Sequence, residues 1–175
     1  MKRVLNLCVC VLLCSSVWAV GQEKPSGNSV VAQKYLKVIN KPDSVSVFLI
    51  DPWVEDAQDW MDGYGEVLAK TKVTDKETVS AMQSLLTDPE SFEKHDIVKN
   101  CAHMPDVVWV FHSKKGDVKC SYSVYCDVVR FAQDDDYEEF DSEQIRLKFL
   151  EVVKMAYPKD RYVRYLLKRE KSLKK

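Results

Sequence analysis

The spacing of apolar positions changes period along this chain, and the changes outline its elements. Val30 to about Ile39 is predicted as a short helix capped by Ser29, and the Asn40-Lys41-Pro42-Asp43 cluster breaks it. The β-branched run Val45-Ser46-Val47-Phe48-Leu49-Ile50 then predicts a buried strand over 44–50. Asp51-Pro52 supplies an N-cap with proline at the first helical position, and Trp53, Ala57, Trp60 and Met61 follow at helical spacing, ended by Gly63. Thr74 and Glu77 have the spacing of a capping box for a helix over about 75–87, with Val79, Met82 and Leu86 on one face. Asp88-Pro89 repeats the cap-and-proline device before a third short helix, Glu90 to His95.

From Val107 the period becomes strand-like. Val107 to His112, the turn Lys114-Lys115-Gly116-Asp117, and Val118 to Tyr125 read as a β-hairpin, with Val118, Cys120, Tyr122, Val124 and Cys126 on one face. Val128 to Phe131 either continues that strand past a bulge or begins another. Residues 134–143 carry seven acids and no base and read as a solvated loop. Asp141 with Gln144 can cap a helix whose stripe is Ile145, Phe149, Val152, Val153 and Ala156, stopped by Pro158. A last helix from about Asp160 turns Tyr162, Leu166 and Leu173 to the core. Strands clustered in mid-chain among helices that do not alternate with them predict an α+β class: a small antiparallel sheet with a central hairpin at about 107–125, a strand at about 44–50, several short helices and a C-terminal helix pair.

Composition narrows the function classes. An apolar fraction of 46% with 30% charged residues fits one globular domain and excludes collagen-like and highly charged disordered chains. A formal net charge of −1 argues against a globally basic nucleic-acid binder, and the sequence names no oligomeric state. The N-terminus changes the picture further. Lys2 and Arg3 precede an apolar run, Val4 to Leu13, which is followed by Ser15, Ser16 and Ala19. This is a secretory signal pattern, too short to span a bilayer. The expectation is a signal peptide over 1–21, with cleavage after Ala19 or Gly21, a lead-in over 22–28, and one domain over 29–175 in the periplasm or outside the cell. Lipoprotein anchoring at Cys14 is disfavoured, because the bulky Leu13 precedes it. Removal of Lys2 and Arg3 leaves 24 bases against 27 acids, a net charge of −3.

Export also sets the cysteine chemistry. Cleavage leaves Cys101, Cys120 and Cys126, an odd count suggesting one disulfide and one free thiol in an oxidising compartment. A turn centred on residues 115 and 116 pairs positions summing to about 230 or 231, which sets Cys126 opposite 104 or 105 and Cys120 opposite Val110 or Phe111. Cys101 is then near Cys126, and a Cys101–Cys126 disulfide is expected, with Cys120 buried. The competing readings are a zinc site on Cys101, His103 and Cys126, completed by His95 or Cys120, and a thiol enzyme pairing Cys101 with His103 or His95, oriented by Asp106 or Asp127. No C-x-x-C, G-x-S-x-G, H-E-x-x-H or glycine-rich phosphate loop supports either. His112 reads as an exposed strand residue. Asp134, Asp136 and Glu138 fail as a calcium loop, since Glu139 stands where the sharp-turn glycine belongs and Ile145 where the closing Glu belongs.

Arg161, Arg164, Lys168, Lys171 and Lys175 recur at spacings of three and four and form a basic face on the last helix. Residues 159–175 hold eight bases and two acids, which suits an acidic partner, an anionic membrane surface or plain solvation. Trp53, Trp60, Trp109 and the Tyr residues could line a ligand cleft, but their helical and strand spacing assigns most of them to the core.

Cys101, Pro105-Asp106, the apolar strand to Phe111, Ser123, Cys126 and Phe131, then the acidic stretch and Tyr157-Pro158-Lys159-Asp160-Arg161-Tyr162, together resemble a group of small exported proteins of unknown function from Bacteroidota-type Gram-negative bacteria. The resemblance spans about 43–165 and implies a compartment rather than a reaction. The resulting expectation is an exported, non-catalytic domain that binds a protein or small-molecule ligand, with no cofactor, no metal and no catalytic residue assigned. The alternatives are the Cys101, His103 and Cys126 centre and peripheral membrane contact through the basic helix.

Overall fold

The computed structural model describes residues 30–53, 65–92 and 101–173. The predicted signal and lead-in segments, the predicted helix beyond Trp53, and His95 and Lys175 lie outside those residues. Six strands, β1 (Ser44–Asp51), β2 (Glu66–Val73), β3 (Val107–His112), β4 (Val118–Ser123), β5 (Val128–Gln133) and β6 (Asp136–Asp141), form one antiparallel sheet in the order β2-β1-β3-β4-β5-β6. Among the described residues four α-helices accompany it: α1 (Gln33–Asn40), α2 (Lys76–Thr87), α3 (Arg146–Ala156) and α4 (Arg161–Leu173). The α+β class and its C-terminal helix pair are therefore as the sequence predicts.

The run in β1 is continuous because both its faces are buried. Val45, Val47 and Leu49 join the main core, whereas Phe48 and Ile50 join Val108 and Val110 of β3 in a second cluster on the other face. The main core lies between the sheet and the helices, with Trp109, Phe131, Tyr122 and Phe149 fully buried. Tyr122 and Phe149 rings approach to 4.4 Å, and Phe131 meets Phe92 edge to face at 5.5 Å. Trp109 thus belongs to the core and lines no cleft.

Several local expectations are corrected. The first helix starts at Gln33 after Ala32, which offers no side-chain cap. Helix α2 is capped by Asp75, one residue after Thr74: its carboxylate accepts from the Thr78 N–H at 2.8 Å and from the Thr78 hydroxyl at 2.6 Å. After Asp88 a single 3-10 turn, Pro89–Ser91, forms, and Phe92 is extended. The hairpin pairs Phe111 with Val118 and Trp109 with Cys120, a register one residue from that expected. The reason is the loop 113–117, in which Gly116, at φ 111°, donates its N–H to Ser113 O at 3.1 Å. That positive φ favours glycine there; the close contact a Cβ would make, 2.9 Å to Gln133 Nε2, is with the end of a side chain that can move.

Strand β2, which the pattern did not reveal, and strand β6, which read as a loop, form the two edges. The acids of β6 have partners: Arg130 pairs with Glu139 at 2.8 Å, Lys34 pairs with Asp136, and Glu138 accepts from the Ala32 N–H at 3.2 Å. Asp134 turns the chain between β5 and β6 at φ 53°. Val128 to Phe131 accordingly begins a separate strand. Asp141 ends β6 and accepts from the Glu143 N–H at 2.9 Å, starting a 3-10 turn ahead of α3.

Candidate functional site

Antiparallel order brings the end of β1, the start of β3, the end of β4 and the start of β5 to one end of the sheet, and the chemistry-bearing residues of the middle of the chain collect there. Cys101 and Cys126 are joined by a disulfide, Cα to Cα 6.0 Å and 25 residues apart. Cys126 is buried and Cys101 is partly exposed. Cys120, the one free cysteine among the described residues, is fully buried, and that burial pushes its thiol pKa far up, so it stays protonated and inert.

His103 lies between the disulfide and the sheet. Its Nε2 is 2.8 Å from Ser121 Oγ, and its Nδ1 is buried with no hydrogen-bond partner among the described residues. Burial, aided by the positive charge of Arg130, pushes its pKa down to about 3, which keeps the imidazole neutral. With both neighbouring sulfurs bonded to each other, His103 has no thiolate to activate and no sulfur ligand to join. Among the described residues no group of three or more His, Cys, Asp or Glu side chains is placed to hold a metal ion.

Asp106 organises the same end. Its carboxylate accepts from the Val124 N–H at 2.7 Å and the Tyr162 hydroxyl at 2.6 Å, and its main chain bridges Ile50 and Tyr122 at 2.9 Å each. Burial raises the Asp106 pKa, against the two hydrogen bonds that lower it. Tyr162 is raised as well, by burial first and the Asp106 charge second; Asp51 and Arg169 are close enough to act on the same hydroxyl. The Tyr157-to-Tyr162 segment therefore has a structural meaning. The Tyr157 hydroxyl donates to Val47 O at 2.7 Å, Asp160 accepts from the Val163 N–H at 3.0 Å to cap α4, and Tyr162 reaches Asp106.

A second bracket of charge lies behind the disulfide loop. Asp127, at φ 54°, receives both its Oδ contacts from Arg146 Nη1, at 2.7 and 2.8 Å. Arg146 Nε faces Glu170 Oε2 at 2.5 Å, and Glu170, 1% exposed, is also 3.4 Å from Arg169. These bonds join the β4–β5 loop to α3 and α4.

The outer surface of this end is aromatic. Trp53 and Tyr125 meet edge to face at 5.7 Å while remaining 62% and 68% exposed. On α4, Arg161, Arg164, Lys168 and Lys171 are all exposed, and Tyr165 stands among them at 58%. Lys171 pairs with Glu151 at 3.4 Å, and the Arg164 guanidinium donates to the Asp160 and Lys159 carbonyls at 3.2 Å. The predicted residues are thus brought together in part: Asp106 ties Val124, beside the disulfide loop, to Tyr162 of α4, whereas His103 contacts Ser121 of β4. Arg146, Glu170 and the Trp53–Tyr125 pair were not anticipated. A separate cleft of about 450 Å³ lies away from this end, between α1 and α2, bordered by Lys41, Asp43, Thr74 and Lys76.

No protein-family model, no curated protein and no solved structure matches this chain, so the reading of the site rests on its own residues. No described helix is long and apolar enough to cross a membrane.

Proposed function

We propose that this chain is an exported interaction domain that binds an acidic protein partner at the disulfide end of its sheet. The observation that carries the proposal is the Trp53–Tyr125 pair, two large aromatic rings held in mutual contact yet left mostly in solvent. Burying a large aromatic side chain is worth roughly 1.5–3 kcal/mol, and these two gain little of that within the fold. Exposed, ordered aromatics are what interface anchors consist of. The exposed cations of α4 set the sign of the partner. The groups around the pair serve to fix it: the disulfide closes the loop, Asp106 holds the Val124 N–H next to Tyr125, and Asp127 is clamped by Arg146. Pre-ordering of this kind lowers the entropic cost of binding.

The test is a fluorescence titration of the chain from Gln22 onward with poly-L-glutamate, run beside vesicles of phosphatidylcholine and phosphatidylglycerol. Saturable, salt-sensitive binding to the polypeptide is expected, weakened at least about tenfold, roughly 1.4 kcal/mol, by Trp53→Ala with Tyr125→Ala and by Arg164→Glu with Lys168→Glu. Binding to vesicles alone would favour the peripheral-membrane reading through α4, and binding to neither would refute the proposal.

A further inference from the structure

The binding proposal uses no reactive group, yet the opposite end of the sheet carries one. Ser46 of β1, 7% exposed, has its Oγ 3.0 Å from His112 Nε2, and Nδ1 of the same ring is 2.7 Å from Asp117 Oδ2. In the neutral imidazole these bonds run one way: the Asp117 carboxylate only accepts, so Nδ1 carries the ring proton, Nε2 presents its lone pair, and the Ser46 hydroxyl donates to it. This is the order of groups that turns a serine into a nucleophile, and it is recognised by geometry rather than by position in the chain.

The surroundings hold the relay in place. Asp117 Oδ1 accepts from the Ser113 N–H at 3.2 Å, and Asp43 Oδ2 accepts from the Lys114 N–H at 3.1 Å, so the hairpin turn is tied to the start of β1. Strand register places Ser44 opposite His112, and Ser46 therefore shares the face of His112, on the side of the sheet away from the main core. The His112 and Asp117 side chains are 36% and 43% exposed, so the relay meets solvent at its His112–Asp117 end, with Ser46 behind it at 7%. The same register sets Lys72 directly beside Ser46 on β2, and Val110 followed by Lys119 on its other side. One cation, Lys72, thus lies next to Ser46 in that row, and a second, Lys119, stands two strands away beyond Val110.

We infer that Ser46, His112 and Asp117 form an acyl-transfer centre that hydrolyses small esters with an anionic acyl group. Ser46 and His112 are the catalytic residues and Asp117 is a positioning residue. Ser46 Oγ bonds to the ester carbonyl carbon as its proton passes to His112 Nε2, and the carbonyl π pair moves onto oxygen. Collapse of that adduct breaks the bond to the leaving oxygen, which takes the proton from His112. Water, deprotonated by His112, then attacks the acyl-serine, and the departing Ser46 oxygen regains the proton as the carboxylic acid leaves. Lys72 and Lys119 favour a carboxylate on the acyl group and negative charge on the carbonyl oxygen.

The experiment treats the chain from Gln22 onward with a fluorophosphonate reagent, and separately with the 4-nitrophenyl esters of acetic and succinic acids. Expected are one phosphonyl adduct, with fluoride expelled, on the peptide containing Ser46, and a higher kcat/KM for the succinyl ester. Ser46→Ala and His112→Gln, checked for native circular dichroism, should abolish the adduct and lower ester turnover about 100-fold or more. Asp117→Asn should lower kcat and change the pH–rate profile while Asp117→Glu restores it in part, an effect that loss of a purely structural bond would not produce. Lys72→Ala should remove the succinyl preference. An unlabelled wild-type chain, or equal labelling of the Ser46→Ala variant, would overturn the inference. Neither result bears on the aromatic pair at the other end.

Discussion

His103 is held neutral by the fold across the acid range. Its pKa falls from the usual 6.5 to about 3 because the folded state buries the ring near Arg130, whereas the unfolded state leaves it in water. Between those two values the unfolded chain binds the extra proton, so stability is fully present above pH 6.5 and declines as pH falls towards 3. The slope approaches about 1.4 kcal/mol per pH unit. Asp106 acts in the opposite sense, since a carboxyl raised by burial is relieved as it protonates. The two are separated by comparing wild type with His103→Asn. Denaturant midpoints between pH 7 and 4 should fall more steeply for the wild type, and parallel curves would show that His103 is not buried as described.

At the scale of elements, the sequence was informative wherever burial and local chemistry agreed. Strand β1, helix α2, the 107–123 hairpin and the two C-terminal helices were all predicted within a few residues. Strand β2 escaped although Val67, Ala69, Thr71 and Val73 alternate with Leu68, Lys70 and Lys72, because it is an edge: Val73 is its one buried side chain, and the small Ala69 and polar Thr71 make a weak apolar face. Strand β6 escaped because its acids looked like a solvated run, although Arg130, Lys34 and the Ala32 N–H neutralise them one by one. The shift of the hairpin by one residue came from loop geometry at Gly116. It left the disulfide intact, since residues beyond the strand ends have slack. Ser46 could not be recognised as a neighbour of His112, because 66 residues separate them and register alone unites them. The cap of α2 offers an element-scale test. Asp75→Ala should lower the thermal unfolding temperature by a few degrees and Thr74→Ala should change it little; the reverse ranking would restore the capping box at Thr74.

For the whole molecule, one sheet carries two different ends. One holds the open Ser46–His112–Asp117 relay, and the other is braced by a covalent bond, by Asp106 with Tyr162, and by Arg146 between Asp127 and Glu170. The brace matters because the outer parts of these loops lack burial of their own: Cys101, Ala102 and Tyr125 are not buried, although Pro105, Val124 and Cys126 are. A disulfide closing a loop of 25 residues contributes roughly 3 kcal/mol by restricting the unfolded chain. Reduction should therefore lower the stability of the protein by about that amount and loosen the surface that carries Tyr125. The most direct measurement is a thiol count on the chain from Gln22 onward, purified without reductant and unfolded in guanidinium. One reactive thiol, that of Cys120, rising to three after reduction, is the predicted result; three before reduction would contradict the covalent brace and the pre-ordered docking surface built on it.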